Sequence, residues 1–391
     1  MNELDRNIVP GLRDSFDEMK SIRHDIHRHP ELGYQEQRTA AIVAHCLERW
    51  GYRVRRGVGG TGVVGTLQVG DGNRSIGLRA DLDALPISEA SGRPYSSEHD
   101  GVMHACGHDG HTAILLAAAK HLAQTRAFSG TLNLIFQPAE EGGAGALAML
   151  DDGLFEHAPC DSVYALHNYP TPTLAFGQMT IGSGAVMASV DSLVIEVRGK
   201  GGHAASPQFT CDPVVVAAAI IQALQTIVSR NVSPHDCAVV SVTGIHGGGT
   251  FNVIPGEVEM KLSVRAYDEA QRSLIRSRIQ DIVQSQAASF GASAQLREAA
   301  VSYPVLVNAD GPARAAREVA RRYFGEDSVV DHPPILAADD FAFMAQRVPA
   351  CYINIGAGQG AALHNAHYDF NDDLILVGGS FWVYLVQTLL R

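Results

Sequence analysis

Residues 104–111 read His104-Ala105-Cys106-Gly107-His108-Asp109-Gly110-His111, and a long apolar run follows at once. Three imidazoles, a thiol and a carboxylate within eight residues limit what the chain can do with this stretch. The run that follows, residues 112–124, has the pattern of a buried helix, so the polar segment is drawn toward a core. There its groups lose hydration that only close partners can replace. A bound cation would pair with several of them together. Mixed nitrogen, oxygen and sulfur donors suit zinc and its first-row neighbours, whereas magnesium and calcium prefer oxygen alone.

Around this segment, short apolar runs alternate with helical patterns. Strands are expected at 63–69, 75–79, 131–136, 162–166 and 350–355, the first two joined by a hairpin turn at 70–73. Helices are expected at 12–29, 35–50, 145–150, 312–323, 339–346 and 374–390. That alternation implies α/β layers about a mostly parallel sheet flanked by helices. The middle of the chain differs. Residues 189–197, 239–244 and 258–267 alternate apolar with polar, and amphipathic helices are expected at 212–229 and 268–290. A small antiparallel sheet carrying two helices follows. The expected fold is therefore an α/β domain (1–183 and 301–391) interrupted by an inserted α+β domain (184–300).

The charge balance, 30 basic against 42 acidic residues for a net of −12, argues against nucleic acid or an anionic membrane as partner. Apolar stretches such as 214–221 fall short of the ~18 residues of a membrane span. The opening MNELDRNIVP has neither the basic nor the apolar part of a signal segment. Six cysteines (46, 106, 160, 211, 237 and 351) lie far apart without a CxxC pair, as free thiols of a reducing compartment do. A cytoplasmic location is expected.

In open α/β sheets, ligands bind beyond the carboxyl ends of the strands. Here those ends carry Asp81 and Asp83, then Glu140 and Glu141, then His167 and Asn168, and a glycine-rich loop leads to His364. Taken singly, each has a plain alternative: Glu140 and Glu141 could simply start a helix, and Cys106 could be an inert buried thiol. Together they exceed the three ligands one catalytic zinc takes from protein. Two ions sharing a bridging ligand and a water account for the set. A literal G-x-G-x-x-G at Gly60, Gly62 and Gly65 runs on into a strand, not a helix, so a dinucleotide site is not expected.

These segments resemble the M20 metallopeptidase family, in particular its amidohydrolase branch of hippurate hydrolases and indole-acetyl-amino-acid hydrolases. The resemblance rests on Arg28-His29-Pro30-Glu31-Leu32-Gly33, Arg79-Ala80-Asp81-Leu82-Asp83-Ala84-Leu85-Pro86, residues 104–111, Gln137-Pro138-Ala139-Glu140-Glu141-Gly142-Gly143, His167-Asn168, Gly199-Lys200-Gly201-Gly202-His203, and Leu363-His364-Asn365. It implies that the α/β domain is catalytic and the inserted domain a lid and dimerisation unit. It implies Cys106, His108, Glu141, His167 and His364 as metal ligands, Cys106 as their bridge, and Glu140 as general base. Asp83 would orient a ligand, with His104 and His111 also behind the ligands. His203 would reach a partner subunit's site, and Asn252 and Arg265 would bind the substrate carboxylate. Domain closure would bring inserted-domain groups toward the metals.

Three departures stand out. Asp81 occupies the position of a histidine ligand in other M20 peptidases, Tyr169 follows His167-Asn168 where relatives often carry Trp, and Ala366-His367 replaces a usual Pro-x. Tyr169 would then shape the acyl pocket. The resemblance implies a di-metal amidohydrolase that cleaves N-acyl amino acids, hippurate-like or aryl-acetyl, to a carboxylic acid and a free amino acid. A dipeptidase or biosynthetic N-acetyl-amino-acid deacetylase is the alternative; a non-catalytic amino-acid or metal binder is a more distant one. Two divalent ions per subunit are expected, zinc or manganese before cobalt or nickel. The partner is a small-molecule substrate, not nucleic acid or membrane, and the assembly a homodimer or homotetramer.

Overall fold

A computed structural model describes residues 7–391; the opening segment read above for a signal falls, in residues 1–6, outside the described residues. The chain divides into two compact units, Met1–Gly184 with Val307–Pro333 and Asp340–Arg391, and Ala185–Leu306 with Pro334–Asp339. The return of Pro334–Asp339 to the smaller unit has no periodic signature. It is held through the segment's own carbonyls: Ala188 N–H donates to those of Ile335 and Ala337, and the side-chain Tyr267 Oη to that of Pro334.

The larger unit holds a seven-stranded sheet of β1 (Arg53–Val58), β2 (Gly62–Val69), β3 (Ser75–Asp81), β4 (Gly130–Gln137), β5 (Ser162–Tyr169), β6 (Met179–Thr180) and β7 (Ala350–Gly356), in the order β1-β2-β4-β3-β5-β7-β6. The central strands β4, β3, β5 and β7 are parallel, and β1, β2 and β6 pair antiparallel at the edges. The expected 63–69/75–79 hairpin is not formed, because β4 lies between β2 and β3. Leu132, Leu134, Ile135 and Phe136 are all fully buried, and a run apolar on both faces belongs inside a sheet with neighbours on each side.

The longer helices of this unit are α1 (Phe16–Arg28), α2 (Gln37–Arg49), α3 (His108–Thr125), α4 (Asp310–Phe324) and α5 (Leu374–Leu389), with shorter ones such as Gly145–Asp151 and Phe341–Ala345 between them. Helix α3 starts four residues earlier than its apolar pattern suggests, which puts His108 and His111 in its first turn. Its Ile114, Leu115, Leu116 and Leu122 are fully buried. At about 1.5–3 kcal/mol each, their burial offsets the cost of drawing the polar first turn out of water.

The smaller unit has a four-stranded sheet in the order Ala238–His246, Glu257–Ala266, Asp191–Arg198, Ser293–Glu298, antiparallel throughout. Helices Pro213–Arg230 and Glu269–Ser289 pack on it through Ile220, Leu224, Ile275 and Ile279. Each is N-capped by an aspartate, Asp212 accepting from Val214 N–H and Asp268 from Gln271 N–H, both at 2.9 Å. Helix Pro213–Arg230 does have the length and composition to cross a membrane, contrary to the stretch-by-stretch reading. Uncharged polar residues such as Gln222 and Thr226 prolong it past residue 221, and Val216, Ala217, Ile220, Leu224 and Ile227 form its buried face.

Candidate metal centre

The parallel strands deliver their last residues to one edge of the sheet, and α3 begins beside them. Gly107 makes the approach possible. It sits at φ +90°, and a Cβ there would lie 2.5 Å from Asn168 Oδ1 and 2.6 Å from Tyr368 Oη. Cys106 and His108, on either side of it, therefore turn toward the end of β5.

Two donor triads result. Cys106, His108 and His167 form one, and Cys106, Glu141 and His364 the other, each with its donor atoms within 4.8 Å of one another. Cys106 is common to both. Glu140 groups with His108 and Glu141 on the same criterion and is buried. All five residues expected as ligands, together with Glu140, are thus gathered in one place.

The neighbours of these donors set their chemistry. His167 donates from Nδ1 to the Asn168 carbonyl at 2.7 Å, leaving the Nε2 lone pair 3.4 Å from Cys106 Sγ. Burial, reinforced by His111 and His108, holds its pKa well below the ordinary range, so the ring is neutral and fit to ligate. His108 Nδ1 lies 3.2 Å from Asp83 Oδ1, while its Nε2 is buried without any hydrogen-bond partner. Asp83 Oδ2 accepts the Glu141 N–H at 3.0 Å, so one carboxylate steadies a ring of the first triad and the backbone of the second. His364 Nε2 pairs with Glu141 Oε1 at 3.1 Å. Hydrogen bonds to Cys106 and Glu141 push the His364 imidazole up to about 10. His364 holds this place from a left-handed backbone at φ +63°, with its N–H bonded to the Ala105 carbonyl.

The orphaned, buried Nε2 of His108, beside a thiol that burial pushes up though His108 opposes it, fits a divalent cation. The donor set of thiol, imidazoles and carboxylate can hold two such ions across Cys106.

The comparisons with known proteins agree with this chemistry. Residues 77–388 match the Peptidase family M20/M25/M40. The chain belongs to this family. It is 43% identical to the hippurate hydrolase of Campylobacter jejuni over 98% of this chain and all of that one. It is 37% identical to the N-acetyl-L-cysteine deacetylase of Bacillus subtilis, over 93% of this chain and 86% of the relative. A solved Bacillus subtilis structure, described as a dinuclear metal binding peptidase from the M20 family, superposes with a TM-score of 0.84 at 30% identity, covering 97% and 99% of the two chains.

Within the family pattern, Asp81 has work of its own. Burial would raise its pKa, but His108, Arg79 and His111 outweigh that and hold it well below the carboxylate range. It receives Arg79 Nη1 at 2.7 Å and lies 2.6 Å from His111 Nδ1, and His111 Nε2 reaches Asn168 Oδ1 at 2.6 Å. His104 takes no part by hydrogen bond: neither ring nitrogen has a partner, and burial pushes its pKa down to about 4. Tyr169 ends β5 with its ring edge-on to His332 at 6.0 Å. In the smaller unit, His203 pairs with Val253 in a two-stranded ladder and accepts the Ala205 N–H on Nδ1. Asn252 is exposed beside it, and Arg265 donates to the Leu336 carbonyl at 2.8 Å.

Two further supports carry no residue-type signal in the sequence. Asp340 accepts from Gln137 Nε2 at 2.7 Å and from the Ala146 N–H at 2.9 Å, pinning the far end of the 138–146 turn. Arg23 and His27 of α1 pair with Asp109 at the start of α3. Only a buried charge in an otherwise apolar helix face could have signalled the latter.

Proposed function

We propose that this protein is a di-metal amidohydrolase that cleaves N-acyl amino acids to a carboxylic acid and a free amino acid. The observation that carries the reading is the pair of donor triads meeting at Cys106, with buried Glu140 beside both. Cys106, His108 and His167 would hold one ion and Cys106, Glu141 and His364 the other; zinc or manganese suits this mixed donor set. Bound there, the ions supply Lewis acidity for the scissile carbonyl and the attacking water. Glu140 takes the proton from that water and passes it to the departing amide nitrogen, so no other acid is required. Asp83 keeps His108 and Glu141 in register during the reaction. Tyr169 lines the acyl side, and Asn252 and Arg265 bind the substrate carboxylate, where a guanidinium fork is the fitting partner.

Similarity to a hippurate hydrolase and to an N-acetyl-L-cysteine deacetylase supports this substrate class. The test is a panel of hippurate, N-acetyl amino acids and dipeptides assayed on protein of measured metal content. N-acyl amino acids are expected to turn over with two divalent ions per chain. Turnover of dipeptides alone would remove the substrate class, and a single ion would remove the shared-cysteine arrangement.

His203 would act in the site of a second copy, which makes the active form a homodimer or homotetramer. Mixing inactive Glu140→Gln and His203→Ala subunits is then expected to restore activity, because half of the mixed sites carry both native groups. A mixture as inactive as its parts would exclude the shared site.

A further inference from the structure

The strap at residues 31–36, between α1 and α2, lies against the turn that carries Glu140. Its first residue is locked onto α2: Glu31 Oε1 and Oε2 accept the N–H groups of Arg38 and Thr39 at 2.9 and 2.8 Å. Its backbone runs beside Asp83, with Ala84 N–H donating to the Glu31 carbonyl at 2.8 Å and Leu32 bridging to Ala84. Its last residue is Glu36, fully buried and using both carboxylate oxygens. Oε1 accepts the Ala139 N–H at 2.8 Å, and Oε2 accepts from Thr61 Oγ1 at 2.5 Å.

Ala139 immediately precedes Glu140 and stands at φ +49°, a left-handed conformation that the Cβ of an alanine disfavours. Something must over-determine it. Glu36 grips it from one side, and Gly33 backs it from the other: a Cβ on Gly33 would fall 3.0 Å from Ala139 Cβ and 3.1 Å from its Cα. Tyr34, itself at φ +64°, donates from Oη to the Gly143 carbonyl at 2.7 Å, beyond the acidic pair. The strap therefore touches the turn both before and after Glu140 and Glu141. An apolar side chain could fill the space of Glu36 without the cost of burying a carboxyl, so what Glu36 adds is direction.

We propose that Glu36 is a positioning residue for the hydrolysis, aiming Glu140 by holding the strained Ala139 against Gly33. The proposal rests on the reading of Glu140 as the proton-transfer group. Misplacement of a reacting group by about 1 Å costs roughly 10²-fold in rate. Glu36→Ala is accordingly expected to lower kcat on hippurate by about 10²-fold, with KM and the content of two ions retained. Glu36→Gln can still accept from Ala139 while its amide donates to Thr61, and is expected to restore kcat close to wild type. Gly33→Ala, which breaks no hydrogen bond, is expected to lower kcat in the same KM-neutral way. A folded, metal-loaded Glu36→Ala enzyme with wild-type kcat overturns the proposal, as does a Glu36→Gln enzyme as slow as Glu36→Ala. If Glu36→Ala does not fold, Gly33→Ala decides, and an unchanged kcat there overturns it. Glu140→Gln run alongside separates the two readings. Retained turnover in it removes the base and the positioning role together. An inactive Glu140→Gln beside a full-rate Glu36→Ala removes the positioning role alone.

Discussion

Glu140→Gln is expected to lose about 10²–10⁴-fold in kcat while keeping both metal ions. The carboxyl is buried, and its oxygen lies within 4.8 Å of donor atoms on His108 and Glu141, close enough to meet a water held among those groups. Glutamine has the same length and retains a hydrogen-bond acceptor, so packing and local geometry survive. What it lacks is an oxygen able to take a proton and give it up. Glu140 belongs to neither of the triads that meet at Cys106, so metal occupancy should not follow its loss. The check is kcat on hippurate alongside elemental analysis. Metal content that falls in step with activity would make Glu140 a ligand and leave the proton transfer without an owner.

The candidate site was legible because its chemistry is local in sequence. Cys106 and His108 flank a single glycine just before one apolar run, and Glu140 and Glu141 are adjacent just after another, runs that could only be core. The small antiparallel sheet was legible for a similar reason, since one solvated face writes an alternating pattern along each strand. What stayed hidden depends on partners far along the chain. The placement of β4 between β2 and β3 follows from competition among strands for the two-sided positions, which no single strand encodes. The edge strands β1 and β6 and the strand Ser293–Glu298 are short or mostly exposed and leave little apolar signal. Glu36 and Arg23 look like ordinary surface charges of amphipathic helices until Ala139 and Asp109 arrive from 103 and 86 residues away.

Arg23→Ala is expected to destabilise the larger unit by about 3–5 kcal/mol, lowering the thermal midpoint on the order of 5–10 °C. Arg23 is fully buried in α1, with Nη1 3.1 Å from Asp109 Oδ2 and Nε 2.9 Å from Asp372 Oδ1, and its guanidinium lies over the Tyr95 ring. Truncation leaves Asp109, also fully buried, to His27 alone, whose Nδ1 is 2.9 Å from the same Oδ2. Burial opposes a charge on His27, but Asp109 and Glu89 outweigh it and raise the ring to about 9. A raised folded-state pKa contributes stability that is complete below the ordinary value of 6.5 and is lost as pH rises through about 9. In the wild type, Arg23 still compensates Asp109 after His27 gives up its proton. In Arg23→Ala nothing does, so both proteins should lose stability alike between pH 6.5 and 9, and the deficit should widen only as pH rises past about 9. Asp109 directly follows His108, a proposed ligand, so the weakened anchor should also loosen the first turn of α3 and lower metal affinity over the same range. Thermal melts of both proteins from pH 6.5 to above about 9 give the check. A variant that melts with the wild type at every pH would show that the buried network contributes nothing to holding the first turn of α3.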